Sequence, residues 1–147
     1  MKKIINLNRQ AAEKLLILKD LPLLFLRLIL AYGFISPALM KVKNIDNIIS
    51  WFNDIGIPFP AVNAYLAGYI ELIGAIFLAA GFSTRLISVP LMVIMLVAIK
   101  TVHWNNGFEA GNNGYEIPLY YLIMLFTLMI YGSGKWSIDY LLHKKSN

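Results

Sequence analysis

The sequence contains no cysteine. Structural disulfides, thiol redox chemistry, cysteine-ligated iron–sulfur clusters and cysteine-based zinc sites are thereby excluded. Charge is scarce as well: 14% of the 147 residues are charged and 59% are hydrophobic, less charge than a soluble domain of this size usually carries. There are two histidines, His103 and His143. The period-2 alternation of a membrane β-barrel is missing from the apolar stretches. Without strands, no Gly-rich nucleotide loop can follow one. The serines and threonines form no hydrolase constellation.

What the chain does have is four apolar runs. They cover Leu21 to Met40, interrupted by Arg27 and Pro37; Ala61 to Gly81, carrying Glu71; Leu86 to about Val102, with Lys100 near its end; and Glu116 to Tyr131, opened by Pro118. Each is close to the roughly 20 residues that cross about 30 Å of hydrocarbon. The third and fourth are slightly short, so their ends fall in the interface or the bilayer thins around them. The first run is too long for a signal peptide, carries an internal Arg and lacks a small-residue cleavage site, so it is read as retained. The predicted fold is all-α, a bundle of four transmembrane helices.

The cations set a direction. Lys2, Lys3, Arg9, Lys14 and Lys19 precede the first run, Arg85 lies between the second and third, and Lys135, Lys144 and Lys145 follow the fourth. With four spans all of these fall on one side, against Lys41, Lys43 and Lys100 on the other. Both termini are therefore expected in the cytoplasm. The same distribution accounts for the net charge of +5 and argues against nucleic acid as a partner. The expected organisation is an interfacial N-terminal segment over 1–20, a membrane domain over 21–141 and a cytoplasmic tail over 142–147. Residues 4–19 are weakly amphipathic. Ile45, Ile48, Ile49 and Phe52 recur at helical spacing before Gly56, Pro58 and Pro60, which predicts a short amphipathic helix on the outer face.

Polar residues inside the apolar runs carry the functional hints. Glu71, at the middle of its run, must be protonated, paired or turned into a cavity, and Arg27 poses the same problem. Counting about 1.5 Å per residue from the inner ends, the two lie within reach of each other, and an Arg27–Glu71 ion pair is expected. Its role is either a lock between helices or the polar floor of a ligand cavity. Ala64, Ala67, Gly68, Glu71, Gly74 and Ala75 share a face whose small side chains admit another helix, so Glu71 is expected to face protein. At the outer end, Lys100 and His103 are three apart, Glu116 opens the fourth span with Tyr120 below it, and Lys41 ends the first. These groups are expected to converge under the loop Trp104–Gly114, whose Trp104 and Asn105 are candidate ligand-binding residues. The competing reading is ordinary interfacial charge in an aromatic belt. A metal site at His103 with Glu109 or Glu116 has too few ligands, and His143 cannot meet His103 across a membrane to hold a haem.

Taken in order, these pieces resemble the DoxX family of small four-helix membrane proteins. The pattern runs from Arg27, Gly33 and Lys41 through WFNDIGIPFP, then Glu71, Gly74, Gly81, Thr84 and Arg85. It continues with His103, GFE at 107–109 and GYEIP at 114–118, and ends on GSGKWSID at 132–139. The likeness covers about residues 21–141 and departs from the pattern at Ser36-Pro37. It implies a cytoplasmic-membrane protein associated with oxidoreductase systems; relatives named DoxD are the membrane subunit of a thiosulfate–quinone oxidoreductase.

Three functions follow as expectations. In the first, the bundle binds a quinone as substrate. Arg27, Lys41, Lys100, Trp104, Asn105 and Tyr120 hold it, and Glu71, His103 and Glu116 move protons. No intrinsic cofactor is expected, so electrons come from a soluble or membrane oxidoreductase partner. In the second, the protein is a non-catalytic anchor for a soluble partner. In the third, Arg27, Glu71, Lys100 and Glu116 line a small-molecule or ion pathway, which would need a homo-oligomer because four helices make a narrow bundle.

Overall fold

The computed structural model describes residues 15–146. Among these residues every regular element is helical. The helices are α1 (Asp20–Lys43), α2 (Ile45–Asp54), α3 (Pro60–Ala80), α4 (Thr84–Ala98), α5 (Glu116–Tyr131) and α6 (Ile138–Ser146). A 3-10 turn at Leu16–Leu18 leads into α1, and a π-helical segment, Ile99–His103, continues α4. The end of the bundle where α1 begins is called inner below, and the opposite end outer.

Local chemistry explains these boundaries. Asp20 opens α1, and Lys41 and Lys43 close it, matching the helix dipole at both ends. Pro60 starts α3, where its missing N–H costs nothing. Gly81 ends α3 at φ +66°, a left-handed conformation that glycine adopts without strain. Glu116 and Pro118 open α5 as the sequence suggests, and Gly132 ends it.

Three helical stretches are long and apolar enough to cross a membrane: Leu16–Lys43, Pro60–Ala80 and Thr84–Asn106. The fourth apolar helix, α5, has 16 residues and spans about 24 Å at 1.5 Å per residue. The closest packing is α1 on α3 and α4 on α5, and smaller α3–α4 and α1–α5 contacts close the bundle. The small-residue face of α3 is buried at Ala64, Gly68, Glu71, Gly74 and Ala75. A Cβ on Gly74 would stand 2.8 Å from the Leu91 side chain of α4, so backbone and leucine meet directly. Leu30, Phe34, Leu78, Leu91, Leu125 and Leu128 fill the centre. Outward-facing Ile, Leu, Val, Phe and Tyr cover the bundle's sides, as a lipid-facing exterior requires.

The structure changes three expectations. The short amphipathic helix forms as α2, but Ile48 and Phe52 bury against Ala64 at the start of α3. Its apolar stripe therefore covers protein, and its polar face is the exposed one. The third span does not stop near Val102: it continues through the π segment to Asn106. The C-terminal chain is not a simple tail, because α6 runs through the 141/142 boundary. Most of the amphipathic stretch 4–19 lies outside the described residues.

Candidate functional site

The buried stripe of α1 holds Arg27, Leu30, Ala31, Phe34 and Ala38. Lys41 continues it, 14 residues or about 21 Å above Arg27 along the axis. The expected Arg27–Glu71 pair does not form. Glu71 instead accepts from Lys41, at 3.0 Å to Oε1 and 2.7 Å to Oε2. The side chains of this pair are 14% and 3% exposed. Gly68 packs against this end of α1, where a Cβ would stand 3.3 Å from Val42 Cγ2 and 3.4 Å from Lys41 Cβ.

Register is the reason for the exchange. An Arg27–Glu71 pair requires the inner ends of the first two spans to be level. In the fold, Gly81 at the end of α3 sits against the Arg27 guanidinium rather than level with the start of α1. Glu71 is ten residues further along α3, about 15 Å away, beyond an arginine's reach. It lies instead beside the outer end of α1, where Lys41 waits.

Arg27 has a different set of partners. It is fully buried and donates from Nη2 to the Trp136 carbonyl and from Nη1 to the Leu78 carbonyl, the latter at 3.5 Å. The segment after α5 folds back beneath the bundle to supply that first acceptor. Asp139 of the same segment accepts from the Ser83 and Thr84 N–H groups, at 2.7 and 3.1 Å. It thereby caps α4 from outside the helix. The Asp139 N–H donates to the Gly81 carbonyl at 3.0 Å, and Asp20 accepts from the Lys135 N–H at 3.3 Å. Ser133 and Ser137 are buried and bonded to each other. The resemblance contained these residues in GSGKWSID, but their individual roles were not assigned from the sequence. A lone Asp after Ile138 gives no sign that it caps a helix 55 residues earlier.

The outer end is polar and internally bonded. His103 Nδ1 lies 2.7 Å from the Asn113 carbonyl, which also accepts from Asn106. Glu116 accepts from the Ala110 N–H and from the Tyr120 hydroxyl, both at 2.9 Å. Trp104 stacks on Tyr115 with ring centroids 5.5 Å apart. Trp104, Asn105 and Lys100 are exposed. No hydrogen bond or ion pair joins Lys41, Lys100, His103 and Glu116 to one another among the described residues. Lys41 is taken by Glu71. Lys100 and His103 lie in π winding, where bonds run to i+5, so the α-helical i, i+3 register that aligned them does not hold. The loop is closed on itself, with the Tyr115 and Glu116 N–H groups donating to the Gly107 and Phe108 carbonyls at 3.1 and 3.0 Å. Among the described residues no three His, Asp or Glu side chains are grouped to hold a metal.

Between α4 and α5 lies an open groove of about 290 Å³, lined by Met92, Leu96, Leu122, Ile123 and Phe126. Its lining is wholly apolar. Lys100 lies one turn outward of Leu96, and Tyr120 one turn outward of Ile123. The greasy slot therefore leads to the polar rim.

The sequence model of the DoxX family matches residues 22–104, a stretch that includes Arg27, Lys41, Glu71, Lys100 and His103. The chain belongs to the DoxX family. A Haemophilus influenzae protein described only as uncharacterized is 35% identical over 130 residues, covering 83% of each chain. A Bacillus subtilis protein named "Putative oxidoreductase CatD" is 31% identical over 111 residues, 76% of this chain and 78% of the relative. An uncharacterized membrane protein of Mycobacterium tuberculosis is 28% identical over 132 residues, 82% and 81% of the two chains. No solved structure matches. This DoxX chain is thus an integral membrane protein, with its apolar helices against lipid.

Proposed function

We propose that this DoxX protein is a membrane subunit of an oxidoreductase system and binds a quinone or similar lipophilic ring compound in the α4/α5 groove. The observation that carries the reading is the groove itself: apolar along its length, open to the side, and leading to a polar rim. A quinone has the matching form, an apolar tail and a ring with two acceptor carbonyls. Its tail lies along Met92, Leu96, Leu122, Ile123 and Phe126, and its ring reaches Lys100, one turn outward of Leu96. Ring reduction takes up two electrons and two protons. A partner protein or a diffusible reductant supplies the electrons, and Glu116 and His103 pass protons at the rim. Four spans, with both termini on the cytoplasmic side of a bacterial inner membrane, place the rim on the opposite face. The name of the Bacillus relative agrees with this direction.

The test is an organic extract of the purified full-length protein, read by absorbance for quinone, together with thermal unfolding in detergent with and without a short-chain quinone. The expected result is co-extracted quinone and a raised melting temperature, both lost in Leu96→Trp, which fills the groove. Finding neither bound quinone nor stabilisation overturns the reading. The alternative is a non-catalytic anchor for a soluble protein. It is favoured by the exposed polar face of α2, where Asp46, Asn47, Ser50, Asn53 and Asp54 stand unburied. Under that alternative, charge reversal on α2 removes partner recruitment and Leu96→Trp has no effect.

A further inference from the structure

The inner end shows an unusual surface. Leu15, Leu16, Ile17 and Leu18 are all more than half exposed, as are Leu141 and Leu142 of α6, and Trp136 is 69% exposed. In water this much apolar surface at one end of a small protein is unfavourable, at roughly 25 cal/mol per Å². Around it, among the described residues, stand five cations, Lys19, Arg85, Lys135, Lys144 and Lys145, against two carboxylates, Asp20 and Asp139. Both carboxylates are occupied: Asp139 caps α4, and Asp20 bonds the Lys135 backbone with Lys135 Nζ 3.9 Å away.

The orientation of α6 is fixed. Asp139 is bonded to the start of α4, the Tyr140 N–H donates to Ser137 Oγ at 3.2 Å, and the Asp139 N–H reaches Gly81. Ile138, Leu141 and Leu142 follow helical spacing on a face turned away from the bundle. Lys145 lies within that arc and can reach outward past it on its flexible stem, while Lys144 borders it. A short helix with an apolar stripe and lysines beside it is built to lie in a headgroup layer.

From this arrangement we infer that α6, with the adjoining Leu15–Leu18 turn and Trp136, forms a surface that binds anionic phospholipid. The leucines and Trp136 enter the acyl–headgroup boundary. Lys144 and Lys145, which have no carboxylate partner among the described residues, contact the phosphates. The outer end differs in charge: beside its exposed Phe59 and Trp104 and its Lys43 and Lys100 stand exposed carboxylates, Asp46, Asp54 and Glu109. Near a membrane surface each basic side chain favours anionic lipid by about fivefold, so the inner end selects among lipids rather than merely sitting in them.

The experiment uses the full chain in lipid nanodiscs, with Trp51→Phe and Trp104→Phe leaving Trp136 as the sole tryptophan. Its fluorescence is measured with equal mole fractions of brominated phosphatidylcholine or brominated phosphatidylglycerol. The expected result is quenching by both and stronger quenching by the anionic lipid. The excess should shrink in high salt and disappear in Lys144→Gln/Lys145→Gln. Absence of quenching by either lipid places this surface outside the membrane and overturns the inference. Equal quenching overturns its selectivity, and an excess that survives the double substitution removes α6 as its source. Circular dichroism and thermal melting on the same samples establish that the variants are folded.

Discussion

Lys41 and Glu71 show what a charge inside an apolar bundle requires. Either group alone would have to be desolvated without compensation. Together they form a bidentate contact at 2.7 and 3.0 Å. Breaking a buried pair from one side typically costs about 3–5 kcal/mol, because the remaining charge has no partner, whereas apolar replacement of both is often neutral. Lys41→Met should therefore lower the melting temperature in detergent sharply, and Lys41→Met/Glu71→Leu should recover most of the loss. Equal melting of Lys41→Met and the parent protein would remove the pair's structural role. Arg27 follows a different rule: fully buried, it is held by backbone carbonyls and by a C-terminal segment that closes over it. Gly81 leaves the room its guanidinium occupies.

At the scale of elements, the chain after α5 is part of the bundle. Asp139 supplies two acceptor bonds to α4, whose own N-cap, Ser83, makes no side-chain cap bond. Removing a cap costs about 0.5–2 kcal/mol. Asp139→Ala should therefore speed amide exchange at the first turn of α4, read by hydrogen–deuterium exchange, while the α1–α3 interface stays protected. Uniform loss of protection would mean that the clasp holds the whole fold instead. The π segment Ile99–His103 matters at the same scale. It carries the third apolar helix into the loop, where His103 Nδ1 meets the Asn113 carbonyl.

For the molecule as a whole, direction across the membrane is the quantity the helices alone leave open. The absence of cysteine makes it directly measurable. Asn53→Cys on the outer cap and Lys145→Cys on α6 each introduce a single thiol. In intact cells a membrane-impermeant maleimide should label the first, and should label the second only after permeabilisation. The reverse pattern would invert the topology, and labelling of both would indicate an odd number of crossings. The charge pattern makes this prediction, through nine cations on the N-terminal, Arg85 and C-terminal segments.

Composition and periodicity by themselves determined much of the architecture. Long apolar runs can satisfy their backbone in lipid only as helices, which gave the three long apolar helices, the shorter apolar helix from Glu116 to Tyr131 and the short helix ahead of Gly56. The small residues of α3 put Glu71 on the buried face because only such residues allow close helix contact. Tertiary structure alone decided which charges meet. Pairing depends on the axial register of antiparallel helices, and that register was set by the Gly81 turn docking at Arg27 beneath residues from the far end of the chain. Runs of apolar residues specify that helices cross; they do not specify how far one slides past another. Sliding fixed Lys41 rather than Arg27 beside Glu71, and only the folded chain could bring Asp139 to the start of α4.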